Sequence, residues 1–324
     1  MDPFFSILVP AFNMSGKMQA CVDSLLAQSM PDFEVICVDD GSTDDTYQYL
    51  SALANADRRF SAWRHEKNRS LLAARYTAME HARGAYVLFV DSDDWLSSDT
   101  LEELHAFLSK DPVDIVRFGH VWEPDGVVFM PPVSGDPLLD FMQGKISPQI
   151  WKNAYKLDVI KRLLSRTGPF YCNMGEDVFF SGCLFSCAGS IGRLEKVCYH
   201  YVFGGMSTSR TGSCEKIRRD MESVTASGEH LLAFIEKYNP SYLAPARNKV
   251  RTMKRYVLTQ NTMFEPDYAK IVERLAVYDT EETRSIYEWG CRSFLPYIVT
   301  ININRDTMTQ DEKGQLYLKV IEED

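Results

Sequence analysis

The sequence predicts an α/β fold, with a mostly parallel central sheet covered by helices on both faces. Three observations lead there. Apolar runs of strand length recur at residues 5–9, 33–38 and 86–90. Each stops abruptly in polar or turn-forming residues, as strands buried on both faces do. Between the runs, apolar residues return at helical rather than strand spacing, which gives the alternation of a parallel sheet with crossover helices.

The elements follow in order. After the first strand, Met18, Cys21, Val22, Leu25 and Leu26 form one face of an amphipathic helix. The second strand leads to a helix capped by Ser42 or Thr43, with Tyr47, Leu50, Leu53 and Ala54 turned inward, and then to a short strand at residues 60–63. A helix over residues 71–82 passes through Gly84 into the strand that ends at Asp91. Next come a helix at residues 98–108, a strand at 115–118, a hairpin turn at Pro124-Asp125-Gly126 and a strand at 127–130. Residues 131–148 read as a loop with a short helix. Beyond Gly205 the pattern is helical almost throughout, with breaks near Pro240, Pro245, Pro266 and Asp279. The expected division is a catalytic domain over residues 1–210 and a mainly helical region over 211–324.

The strand ends carry the chemistry. Tyr86-Val87-Leu88-Phe89-Val90 runs straight into Asp91-Ser92-Asp93-Asp94, and the second strand ends in Asp39-Asp40-Gly41-Ser42-Thr43-Asp44. Open α/β sheets bind ligands at the carboxyl ends of their strands. Hard oxygen donors spaced Asp-x-Asp suit Mg²⁺ or Mn²⁺ carrying a diphosphate. Pro10-Ala11-Phe12-Asn13 closes the first strand, and Arg75 sits early in a helix whose start could lie beside the same edge.

In order and spacing these motifs resemble the family 2 glycosyltransferases, over about residues 4–210. The matching pieces are Val9-Pro10-Ala11-Phe12-Asn13, Val38-Asp39-Asp40-Gly41-Ser42-Thr43-Asp44, Ala74-Arg75, Phe89-Val90-Asp91-Ser92-Asp93-Asp94 and Gly175-Glu176-Asp177-Val178-Phe179-Phe180. Ser70 and Ala78 stand where that family commonly has glycine, Tyr76 where it has Asn, and Phe12 where it has Tyr.

The resemblance implies the GT-A form of this fold, with a Rossmann-like sheet. It further implies inverting transfer of a sugar from a nucleotide diphosphate donor, a UDP-sugar foremost, to an acceptor hydroxyl in polysaccharide or glycolipid synthesis. Pro10, Ala11, Asn13, Asp39, Asp40, Arg75, Asp91 and Ser92 would then bind the donor. Asp93 would hold Mn²⁺ or Mg²⁺, with Asp91 and His200 as further ligands. Asp177, or Glu176 beside it, would take the acceptor proton, and Trp151 would offer the acceptor a stacking face. As the alternative to His200, residues 204–210 could form a lid whose Ser207 or Arg210 touches the diphosphate.

Composition narrows the partners. A formal charge of −10 and a pI near 5.2 argue against nucleic acid as partner. Eight cysteines without a Cys-x-x-Cys spacing, and no leader ahead of the first strand, fit a reduced cytoplasm. No apolar run reaches the roughly 20 residues of a membrane span, so membrane contact is expected to be peripheral, at the inner face. A basic amphipathic segment at residues 247–258 could supply it for a lipid-linked acceptor, although a solvated helix face is the ordinary use of such a pattern. The helical region also offers a surface for a homodimer. Two other functions fit the same parts. A sugar nucleotidyltransferase would need a glycine-rich phosphate loop that Gly16-Lys17 does not supply, and a non-catalytic nucleotide-sugar binder would have no need of every acidic position.

Overall fold

The computed structural model describes residues 2–132, 134–202 and 214–262. Its elements run β1 (Phe5–Ala11), α1 (Gln19–Leu26), β2 (Phe33–Asp39), α2 (Thr46–Ala56), β3 (Phe60–Arg64), α3 (Leu71–His81), β4 (Tyr86–Phe89), β5 (Trp95–Leu96) and α4 (Thr100–Lys110). There follow β6 (Ile115–Glu123), β7 (Val127–Phe129), α5 (Pro137–Met142), β8 (Asn153–Lys156), α6 (Leu157–Arg166), α7 (Glu176–Cys187), β9 (Ile191–Val202), α8 (Cys214–Tyr238) and α9 (Leu243–Thr262).

The sheet order is β3-β2-β1-β4-β8-β6-β9-β5, with β7 paired to β6. Its first four strands are parallel, and β8 then joins β4 and β6 antiparallel. Chain order reverses between β1 and β4, the place where such sheets leave a crevice. Residue pairs Ala11↔Asp39 and Leu8↔Phe89 set the strand ends of β1, β2 and β4 side by side at that crevice.

Every residue of β1, β2 and β4 is buried, as continuous apolar runs covered on both faces require. Two local expectations change. Helix α2 starts at Thr46, because Asp44 Oδ1 accepts from Thr46 N and Oγ1, while Ser42 Oγ turns away to accept from Asn13 N. Pro245 lies in the first turn of α9, where a proline interrupts no intrahelical bond. Pro266, Asp279 and the expected lid lie outside the described residues.

Helix α8 buries Ile217, Met221, Val224, Leu231 and Ile235, and of these Val224, Leu231 and Ile235 join the hydrophobic core of the sheet. Helices α8 and α9 meet at Gly228, where a Cβ would stand 2.5 Å from Val250 Cγ1. Val250, Met253 and Val257, the apolar face of the basic segment, are buried in protein. That face is therefore not open to lipid, contrary to a lipid-resting role for it. No helix among the described residues is long and apolar enough to cross a membrane. Cys172, Cys183, Cys187 and Cys198 are buried and unpaired.

Candidate active site

A cleft of about 530 Å³ opens at the β1/β4 crevice, lined by Pro10, Ala11, Phe12, Asp40, Asp91, Ser92 and Asp93 among others. Its walls are loops pinned by side chains. Asn13, at φ 54, uses its Oδ1 to accept from Thr43 N at 2.9 Å, which ties the β1 loop to the β2 loop. Asp40 accepts from the backbone N–H of Arg69 and Ser70, both at 2.9 Å, and from His65 Nδ1, so it holds the loop that starts α3. Asp39 is fully buried, accepts from Ser42 N, and lies 3.1 Å from Arg64 Nε as an ion pair without hydrogen-bond alignment.

Beyond β4 the chain turns tightly, with Asp94 N donating to Asp91 O at 3.0 Å. Strand β9 anchors this turn. Tyr199 Oη donates to Asp94 Oδ2 at 2.6 Å and accepts from Asp91 N, while Val202 N donates to Asp94 Oδ1. Burial, with Asp91 nearby, pushes the Asp94 carboxyl up to about 8. Asp93 differs from its neighbours: among the described residues no other residue hydrogen-bonds or ion-pairs with its carboxylate. Burial, then repulsion from Asp91, raises its proton affinity.

Arg75 lies at the centre, 1% exposed. Its Nη2 donates to Asp91 Oδ1 at 2.9 Å, and its Nη1 to Asp177 Oδ1 at 2.8 Å and Glu176 Oε1 at 3.1 Å. Burial opposes the charge, but Asp177, Asp91 and Glu176 outweigh it and hold the guanidinium charged. Both amino groups are thus committed to carboxylates. Arg75 positions the acids instead of offering the open fork to a nucleotide that the sequence suggested.

Glu176 and Asp177 form the first turn of α7, where the helix dipole favours negative charge. Gly175 before them takes φ +87, and its carbonyl accepts from Ser227 Oγ of α8 at 2.6 Å. Burial raises the proton affinity of both acids, opposed by Arg75, and mutual repulsion adds to it at Asp177.

Two expected site residues lie elsewhere. His200 is stacked on Trp95 at 3.4 Å, and its two ring nitrogens face Ser97 Oγ and Glu123 Oε1. No ring nitrogen is left for a metal. Trp151 is 4% exposed and stacked on Tyr199 at 4.2 Å and Tyr201 at 5.6 Å, so it packs in the interior and presents no open face to an acceptor. The sequence reading missed Tyr199 as the anchor of the acidic turn, and Tyr171 and Asn173 at the cleft wall. Strand periodicity held the signal for the first: alternation along Tyr199-His200-Tyr201 puts both tyrosines on one face and the histidine on the other.

Among the described residues no three His, Cys, Asp or Glu side chains converge to hold a metal unaided. Two carboxylates suffice where a diphosphate supplies the other oxygens, which is how Mg²⁺ is commonly held. The unclaimed charge of Asp93 beside Asp91 fits such an ion.

Fold and cleft together define an α/β protein of the GT-A kind. The model of glycosyl transferase family 2 matches residues 6–174, and the chain belongs to that family. It is 27% identical over 226 residues to glycosyltransferase GlyA of Streptococcus pneumoniae, a match spanning 65% of this chain and 32% of that one. It is 30% identical over 210 residues to chondroitin synthase of Pasteurella multocida, spanning 64% and 21% respectively. The chain thus spans about a third or less of these curated relatives. Among solved structures, S. aureus TarS 1–349 in complex with UDP-GlcNAc superposes with a TM-score of 0.55 at 19% identity, covering 97% of this chain and 90% of that one.

Proposed function

We propose that this chain moves a sugar from a nucleoside diphosphate donor to an acceptor hydroxyl, with inversion, in the synthesis of a polysaccharide or glycolipid. The observation that carries the reading is the unclaimed carboxylate of Asp93 beside Asp91 in the cleft, with Asp177 tied to the same arginine as Asp91. Kinship with a chondroitin synthase supports polymer synthesis, and the UDP-GlcNAc complex of TarS makes UDP the first nucleotide to try.

Cleavage of the donor leaves negative charge on the diphosphate, and a divalent cation on Asp93 and Asp91 supplies Lewis-acid stabilisation when bound. Pro10, Ala11 and Ser92 wall the donor, with Asn13, Asp39 and Asp40 holding the loops in shape. Asp177 takes the proton from the acceptor hydroxyl as its oxygen bonds to the anomeric carbon. Its raised proton affinity suits that task, because a base works best when its pKa lies near the working pH. One base opposite the departing diphosphate gives inversion.

The test is NMR of the sugar product formed from a panel of UDP-sugars with simple saccharide acceptors. Transfer with the opposite anomeric configuration is expected. Retained configuration overturns the single-base mechanism, and absence of both transfer and donor hydrolysis across the panel counts against a UDP-sugar transferase.

A further inference from the structure

Near Asp177, which acts on Lys152, strands β8, β6 and β9 bring cations together, and among the described residues only Arg193 of these has an acid in an ion pair. Arg117 is paired in register with Asn153 of β8 on one side and Arg193 of β9 on the other, so three polar side chains stand in a row across three strands. Like charges on directly neighbouring strand positions repel. Arg193 has Glu195 at 3.0 Å. Among the described residues, Arg117, 5% exposed, has only the carbonyl of Pro132, 3.2 Å from its Nη1, and its buried Nε has no partner. The buried Oδ1 of Asn153 also has none among the described residues.

Lys152 precedes Asn153 in the chain. Its Nζ donates to Ser147 Oγ at 2.9 Å and lies over the Trp151 ring, with no carboxylate in an ion pair among the described residues. Burial and the nearby Arg117 depress the Lys152 ammonium to about 7, while Asp177 is close enough to pull it back upward. The acid that acts on Arg117 is Asp140, and Ser134 and Lys145 already occupy its two oxygens. Buried charges are ordinarily paired. Among the described residues no carboxylate forms an ion pair with Arg117 or Lys152.

We propose that Arg117, Lys152 and Asn153 form an acceptor subsite for a saccharide bearing an anionic group, a phosphate or a carboxylate. The proposal rests on Asp177 as the base, since the subsite is the acceptor's only by adjoining it. An anion there pairs with Arg117 and Lys152 and sets a neighbouring hydroxyl at Asp177.

The experiment is calorimetric titration of the whole chain with glycerol 1-phosphate, glucuronate and glucose, each with and without UDP and Mn²⁺. Binding of an anion but not of glucose is expected, weakened at least about tenfold in Lys152→Gln, as loss of a charge-assisted bond entails, with UDP affinity unchanged. Lys152 is half-buried, so the variant is expected to fold; Arg117→Lys provides a second, charge-conserving test and should also weaken the anion. Preference for glycerol 1-phosphate assigns a phosphate-bearing acceptor, and preference for glucuronate a uronic one. Equal binding of glucose and the anions, no anion binding, or anion affinity untouched in both variants overturns the subsite. Failure to bind UDP alone counts against the donor site and leaves the anion result readable.

Discussion

The guanidinium of Arg75 on α3 lies 2.8 Å from the carboxylate of Asp177 on α7, 102 positions later in the chain. Through its other amino group the same side chain holds Asp91, so the acidic turn after β4 and the start of α7 share one buried cation. The proposed metal site and the proposed base are thereby fixed relative to each other, which an in-line displacement needs.

Removing that cation leaves three carboxylates around an empty position. Arg75→Met is expected to lower stability by about 3–5 kcal/mol, the usual loss when one partner of a buried ion network goes. Arg75→Lys, a point charge unable to span three acids, should fall between the two. Urea denaturation measures both, and a loss under about 1 kcal/mol in Arg75→Met would contradict the central role given to it.

Asp177→Asn should reduce turnover by roughly 10²–10⁴ while leaving nucleotide affinity unchanged, as expected for a base that does not touch the donor. The wild-type rate should fall toward acid through a pKa above the ordinary carboxylate range, because the base must be unprotonated. Stability has the opposite slope. A carboxyl whose folded pKa is raised binds more protons folded than unfolded, so it favours folding at low pH and loses that contribution as pH rises through the folded value. Asp177→Asn should flatten this decline, and an unchanged slope would count against the raised pKa.

Ser70 adopts φ 94, a backbone region suited to glycine. Its hydroxyl makes two long hydrogen bonds, accepting from Ala73 N at 3.5 Å and donating to Phe170 O at 3.4 Å. Ser70→Gly should therefore match or exceed wild-type stability, since relief of about 1 kcal/mol or more of strain offsets a weak cap. Ser70→Ala keeps the strain and loses the cap, so it should be less stable by about 1 kcal/mol. Thermal melts that rank alanine above glycine would refute the strain.

Gly175 tests the support of α7. At φ +87, with Met253 Sδ 3.1 Å from the position of a Cβ, Gly175→Ala should cost about 1–3 kcal/mol and lower turnover by shifting Asp177. An active, fully stable Gly175→Ala would show that α8 and α9 do not set the position of the α7 turn.

The parallel half of the fold was legible because β1, β2 and β4 are buried on both faces and so appear as unbroken apolar runs. Strand β9 was not. Its Arg193, Glu195 and Lys196 interrupt the pattern, and the strand is recognisable only through its pairing with β6. The acidic positions were legible by type but not by duty. Asp40 binds two backbone N–H groups and Asp94 binds Tyr199, arrangements that depend on residues 29 and 105 positions away in sequence. His200 and Trp151 misled because residue type alone does not tell a ligand from a ring stacked in the interior.

Calorimetric titration of UDP with and without Mn²⁺, on the wild type and on Asp93→Ala, tests the account's central claim most directly. Metal-dependent UDP binding that disappears in a folded Asp93→Ala is the predicted result. UDP binding of equal strength with or without Mn²⁺, unaltered in Asp93→Ala, would contradict the assignment of the metal-diphosphate site to the turn after β4.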